Sequence, residues 1–169
     1  MLNIKINDNA LRSAADEGMD EFLKVIVDAI KGSVGSELNG ETIQQLNASQ
    51  ITLWGYAIMH EELTDGGFVQ LIYNGYGPFF FENPFAKAMR LWGLHDFSKL
   101  IYKAKKIYDE KKDELTAPCS DDDFMARFEL YPEFDELDDQ FIEDEEKITA
   151  MVAEYVDEHI NQFVEIIKE

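Results

Sequence analysis

Two adjacent glycines, Gly66 and Gly67, lie in the middle of the most strongly patterned stretch of the chain, residues 49–77. Before them, apolar residues recur every three or four positions, a spacing typical of a helix. After them, the same spacing resumes and continues to a second break at residues 74–78. Because glycine enters left-handed backbone conformations without a steric clash, it commonly ends helices. The stretch therefore predicts two helices joined by a tight hinge, with Ser49 as the N-cap of the first.

Helical periodicity extends over the other long segments of the chain, and strand-like alternation is absent from them. We expect one helix over residues 9–30 and a second that ends at Gly93, with Asn83 as its N-cap and Pro84 as its first residue. A third is expected to follow, with Asp96 as its N-cap. A final helix is expected from about residue 135 to residue 168, because apolar residues keep to one face over that length. The predicted fold is all-α, a single compact multi-helix domain (residues 1–169) with a long C-terminal helix.

Charge is divided unevenly along this domain. Residues 1–108 carry 13 acidic and 10 basic residues, whereas residues 109–169 carry 22 acidic and five basic ones, and the net charge is −20. We expect the near-neutral part to form the helical core. The acidic part would repel phosphate groups, which argues against nucleic acid as a direct ligand. It favours a cationic partner, or it only keeps the protein soluble.

The densest acidic segment, residues 121–146, supplies the predicted partner-binding residues. It holds 13 acids and one base, Arg127. As a helix it would span about 39 Å, which gives roughly one net charge per 3.3 Å, close to the roughly 3.4 Å between phosphates of one DNA strand. Two chains side by side would approximate a duplex, so we expect a homodimer. The predicted partner-binding residues are Asp121, Asp122, Asp123, Glu133, Asp135, Glu136, Asp138, Asp139, Glu143, Asp144, Glu145 and Glu146.

One motif in the hinge stretch carries a resemblance to a known family. Its residues are Glu62, Asp65, Gly66, Gly67, Phe68, Gln70, Asn74 and Gly77. The motif resembles that of the small acidic bacterial DNA mimic protein family, long known as a domain of unknown function: a glutamate, Asn-Gly-Gly-Phe, a glutamine, an aromatic pair, an asparagine and a glycine. Asp65 stands where the family usually has asparagine, and Leu71-Ile72 replace part of the aromatic run. The resemblance implies a helical protein that imitates the charge of DNA and occupies a transcription factor.

Arrangements typical of catalytic or metal sites are missing from the sequence. The segment His60-Glu61-Glu62 lacks the second histidine of a zinc-protease helix. The segment Asp121-Asp122-Asp123 lacks the glycine and the closing acid of a calcium loop. The single cysteine, Cys119, cannot form an internal disulfide. We therefore predict no enzymatic activity, no cofactor and no metal. We also predict a cytoplasmic protein without membrane contact, since no apolar run is long enough to span a bilayer.

Two classes of function remain open. The first is an acidic protein that binds a basic DNA-binding protein, such as a transcription factor, in competition with DNA. An immunity- or antitoxin-type inhibitor of a basic nuclease is a variant of this class. The second is a small ligand-binding protein or enzyme that uses a pocket at the Gly66-Gly67 hinge. The aromatic segment Phe79–Phe81 is expected to form a loop that fills gaps between helices, and a self-association patch is the alternative.

Overall fold

Helices form most of the part of the chain that the computed structural model describes, namely residues 3–117, 120, 122 and 131–168. The elements, numbered along the described chain, are β1 (Lys5–Asn7), α1 (Asp8–Glu17), α2 (Met19–Val34), α3 (Gly40–Ile43), α4 (Ala48–Asp65), α5 (Gly67–Tyr73), α6 (Gly77–Phe81), α7 (Phe85–Leu91), α8 (His95–Leu115), α9 (Glu133–Glu158), a 3-10 helix (Ile160–Gln162) and β2 (Glu165–Ile167). The all-α prediction is confirmed, with a long helix near the C-terminus and one small sheet. Asp121 and Asp123 lie outside the described residues.

The chain divides into two compact units. The first comprises Met1–Ala57 and Thr149–Glu169, and the second comprises Ile58–Ile148. Helices α4 and α9 each contribute one part to the first unit and one part to the second. The single-domain organisation expected from the sequence stays a prediction.

In the first unit, the helix predicted over residues 9–30 is two helices, α1 and α2, which pack against each other. The chain breaks at Gly18, whose φ of +133° lies in the region that favours glycine. The prediction of one helix was wrong because apolar spacing alone does not register a turn made by a single glycine. The predicted apolar face is buried in α2, with Ile26 and Ile30 fully so.

The C-terminal helix was predicted to reach residue 168, but α9 ends at Glu158. Beyond it, β2 pairs with β1 in parallel, with Ile166 opposite Ile6. Hydrogen bonds from other parts of the first unit satisfy backbone groups that a longer helix would have paired. For example, the side-chain amide of Asn47 donates to the backbone carbonyl of Gln162 at 2.8 Å. The last residues are rich in valine and isoleucine, which fit a strand better than a helix.

The start of α4 also differs from the prediction. Asn47, not Ser49, is the N-cap, because its side-chain oxygen accepts from the Gln50 amide at 2.8 Å. The Gln50 side chain returns a bond by accepting from the Asn47 amide at 3.0 Å, so the two residues cap reciprocally. Ser49 instead donates its hydroxyl to the Gln162 side chain at 2.8 Å.

In the second unit, the aromatic segment forms α6 rather than a loop. Phe80 and Phe81 are buried, so the expectation that this segment fills gaps between helices is confirmed for them. The Phe81 ring lies 4.9 Å from the Tyr108 ring of α8, centroid to centroid.

Two helix starts in this unit lie one or two residues from the predicted caps. Pro84 takes the N-cap position of α7, and the Asn83 side chain donates to the Pro78 carbonyl instead of capping. Helix α8 begins at His95, which places Asp96 in its first turn. Proline and acid positions therefore locate these helices well, but their caps less well.

Candidate partner-binding face and the hinge that supports it

The glycine hinge forms as the sequence predicts. Helix α4 ends at Asp65, and α5 begins at Gly67, whose φ is +77°. A side chain at Gly66 would collide with Gln70, and one at Gly67 would collide with the carboxylate of Asp138. Both positions therefore exclude a Cβ atom, and Gly67 also needs the conformational freedom of glycine.

The polar residues of the motif form one hydrogen-bonded brace across the hinge. The Glu62 carboxylate accepts from the side-chain amides of Gln70 and Asn74, each at 2.9 Å. The Gln70 amide also donates to the Asp65 carboxylate at 3.0 Å. An asparagine oxygen at position 65 could accept the same bond, which accounts for the tolerance of Asp65 in this motif. The brace ties the last turn of α4 to α5.

Asp138, on α9, closes the hinge from the opposite side. Its carboxylate accepts from the backbone amide of Phe68 at 2.9 Å and lies against Gly67. Burial raises the pKa of Asp138 to about 7, the Phe68 amide opposes this rise, and the nearby carboxylates of Asp135 and Asp139 add to it. The charge pattern predicts Asp138 as a partner-binding acid, whereas the structure gives it this internal contact.

A second acid of α9 also points inward. Glu145 lies 2.5 Å from the His60 ring of α4, measured from carboxylate oxygen to Nε2. The His60 ring meets the buried Phe141 ring edge-on, with centroids 6.1 Å apart. Because Glu145 follows Asp138 by seven residues, or about two turns, the two acids lie on the same side of α9. Together they hold this helix against α4 and α5.

Two further predicted acids have partners within the second unit. Glu133 forms an ion pair with Lys111 of α8 at 2.5 Å, and the hydrogen bond from Lys111 lowers the pKa of Glu133. The half-buried Asp144 accepts from the side-chain amide of Gln140 at 2.7 Å. These contacts occupy part of the charge that the sequence analysis assigned to a partner.

Several acids of α9 are exposed, and we call the five between residues 135 and 146 the acidic face. They are Asp135, Glu136, Asp139, Glu143 and Glu146. At 100° per residue they fall within an arc of about 100° around the helix. Ile142 lies at the edge of this arc and is 52% exposed. Asp122 is exposed as well.

The inward contacts of Asp138 and Glu145 do not follow from the charge pattern, because their partners lie 70 and 85 residues away along the chain. The helical period did hold one usable signal. Asp138 lies one residue from Leu137, and Glu145 lies three residues from Ile148, so both acids are on the flank of the buried stripe. An acid on that flank of an amphipathic helix reaches neighbouring elements more readily than one at the centre of the polar face.

No helix among the described residues is long and apolar enough to cross a membrane.

The fold and hinge define a small acidic helical protein with a row of exposed carboxylates along part of a long helix. Residues 44–159 match the family described as DMP19-like protein, so the chain belongs to that family. One relative is the DNA mimic protein DMP19 of Neisseria meningitidis serogroup B. It is 30% identical over 132 residues, which cover 78% of this chain and 80% of the relative. The matched region contains both the hinge and α9, and the resemblance drawn from the motif is confirmed.

Proposed function

We propose that this protein is a DNA mimic that binds a basic DNA-binding protein, such as a transcription factor, and competes with DNA for it. The observation that carries the proposal is the acidic face, five exposed carboxylates on one side of α9. Family membership supports it, since the Neisseria relative is itself named a DNA mimic protein. The family also favours a non-enzymatic role.

The spacing of the acidic face supports mimicry of a phosphate row. From residue 135 to residue 146 the helix rises about 17 Å, so five carboxylates give one charge per roughly 3–4 Å. One DNA strand carries a phosphate per roughly 3.4 Å of helix axis. A cationic surface shaped for a phosphate row would therefore meet charges at a similar interval. Two chains side by side would supply two such rows, and we propose a homodimer on this ground.

The internal acids make this charge pattern rigid. Asp138 and Glu145 attach α9 to the hinge and to α4, so the exposed carboxylates are held in a fixed order. A flexible acidic tail would lose conformational entropy on binding, whereas a fixed row does not lose as much. Rigidity of this kind is what a substitute for duplex DNA needs. We place the protein in the cytoplasm, where DNA-binding proteins are accessible to it.

The hinge offers weaker support for a ligand-binding or catalytic role. The groups that would face a ligand there, Glu62, Gln70 and Asn74, already bond to one another. A ligand would have to replace these bonds, each of which contributes about 0.5–1.5 kcal/mol. We therefore assign the hinge to support of α9.

The test is a competition experiment with purified basic DNA-binding proteins: helix–turn–helix regulators, an HU-type protein and a basic nuclease. Each is bound to fluorescent duplex DNA, and displacement by this protein is followed by anisotropy. The variant Asp139→Asn/Glu143→Gln/Glu146→Gln should bind about tenfold more weakly, which is about 1.4 kcal/mol. Raising the salt concentration should weaken binding by the parent protein, because carboxylate–cation contacts are screened.

A matched control removes the same charge elsewhere. The variant Asp16→Asn/Glu17→Gln/Glu21→Gln neutralises three exposed acids of α1 and α2. It should displace DNA as well as the parent protein does. Equal losses in both triple variants would mean that net charge alone matters, and the assignment to α9 would fail. Displacement of DNA from the nuclease alone would favour the inhibitor function.

A further inference from the structure

An exposed isoleucine interrupts the charge of α9. Ile142 is 52% exposed, although its neighbours three and four positions away along the helix are all acids. On one side they are the inward-pointing Asp138 and Glu145. On the other they are Asp139 and Glu146 of the acidic face. The side chain of Ile142 thus lies between exposed carboxylates on one side and two internally bonded carboxylates on the other.

The core does not require an apolar residue at this position. The neighbouring Phe141 is fully buried, and Leu137 and Ile148 continue the buried stripe of α9. Single exposed apolar residues are common on protein surfaces. The position of Ile142, not its exposure alone, is what distinguishes it: along the axis it lies about 4.5 Å from Asp139 and about 6 Å from Glu146.

DNA presents the same combination of groups. Phosphates are alike at every base pair, whereas the major groove also displays the methyl group of thymine, which apolar protein side chains contact. Proteins that insert a helix into the major groove read this methyl between two rows of phosphate contacts. Proteins that bind through the backbone and the minor groove do not use it.

Building on the proposed function, we infer that Ile142 is a specificity-determining residue that stands in for a thymine methyl group. The partner is then a protein that reads the major groove, of the helix–turn–helix kind, with an apolar contact flanked by cations. The carboxylates supply attraction that any cationic surface would feel. Ile142 adds a contact that only a surface with a matching apolar recess can make, and this separates one partner from many.

The two contributions differ in their response to salt, so one experiment can separate them. The affinity of this protein for each helix–turn–helix regulator and for the HU-type protein is measured at several salt concentrations. These DNA-binding proteins are taken from the same organism as the protein itself. The variant Ile142→Ser should bind its regulator about tenfold more weakly, with the same dependence on salt. The variant Asp139→Asn/Glu146→Gln should show a weaker dependence on salt. Ile142→Val, which keeps the apolar surface, should bind nearly as the parent does.

The matched control is Leu91→Ser. Leu91, on α7, is 73% exposed and lies outside the acidic face, so its loss should leave affinity unchanged. Equal affinities of Ile142→Ser and Leu91→Ser, with the charge variant impaired, would overturn the role of Ile142 and leave the proposed function standing. Binding only to the HU-type protein would overturn the inferred partner class. Binding to no protein of the panel would overturn both proposals.

Discussion

The carboxyl group of Asp138 makes the stability of the protein depend on pH in a direction that can be worked out. Its pKa is raised to about 7 in the folded protein, against a reference value of 3.8. Between these values the folded state binds a proton that the unfolded state has released. Stability therefore falls as pH rises through this window and levels off above pH 7, the opposite of the usual behaviour of an ion-paired acid.

The magnitude follows from the same values. Each pH unit in the window is worth about 1.4 kcal/mol, so raising the pH from 5.5 to 8 should lower the free energy of unfolding by about 2 kcal/mol through this group. Asp138→Asn removes the titration and retains an oxygen that can accept from the Phe68 amide. The variant should therefore lack this part of the pH dependence and be the more stable protein at pH 8.

Urea unfolding followed by circular dichroism, at pH values from 5.5 to 8, measures the effect. Other acids titrate in the same range, so the informative quantity is the difference between the parent and Asp138→Asn at each pH. Asp139→Asn removes the same charge from an exposed neighbour and serves as the control. If the parent and Asp138→Asn gave parallel curves, the carboxyl group would not be held in a desolvated site, and the reasoning would be refuted.

Two further predictions concern positions that hold the backbone. Gly67→Ala should lower the free energy of unfolding by about 2 kcal/mol or more, because an alanine there has a strained φ and collides with Asp138. The control is Gly75→Ala, at φ +90° with open space around it, which should lower the free energy of unfolding by about 1 kcal/mol. Equal losses in urea unfolding would argue against the collision. Gln50→Ala should lower the free energy of unfolding by about 2–3 kcal/mol. The reason is that Gln50 is 3% exposed, caps α4 and donates a hydrogen bond to the Phe163 carbonyl at 2.9 Å. A melting temperature equal to that of the parent protein would contradict this.

The parts of the structure that the sequence predicts correctly depend on interactions between near neighbours. Apolar spacing locates α2 and α9, and the Gly66-Gly67 pair locates the hinge, because helix geometry and glycine conformation act within a few residues. The strand β2 could not be predicted in this way. It exists because Ile4 accepts a hydrogen bond from the amide of Glu165 at 2.7 Å, across almost the whole length of the chain.

The acidic segment shows the same limit for function. A count of charges treats all acids of residues 121–146 alike, although the helical period places Asp138, and not Asp139, beside the apolar stripe. The fold separates them, because Asp138 lies on the flank of the helix that faces the hinge and Asp139 does not. Charge counting therefore indicates the segment that carries the candidate face, but it overestimates the number of acids that are free of internal contacts.

The hinge motif and α9 are linked by direct contacts. Gly67 has no side chain, and the carboxylate of Asp138 occupies the space that a side chain would fill. The Phe68 amide then fixes that carboxylate, and with it the rotation of α9 about its own axis. If α9 were rotated about its axis by one residue, or about 100°, the acidic face would turn partly away from solvent and part of the buried stripe would become exposed. The hinge motif thus determines which carboxylates of α9 are exposed.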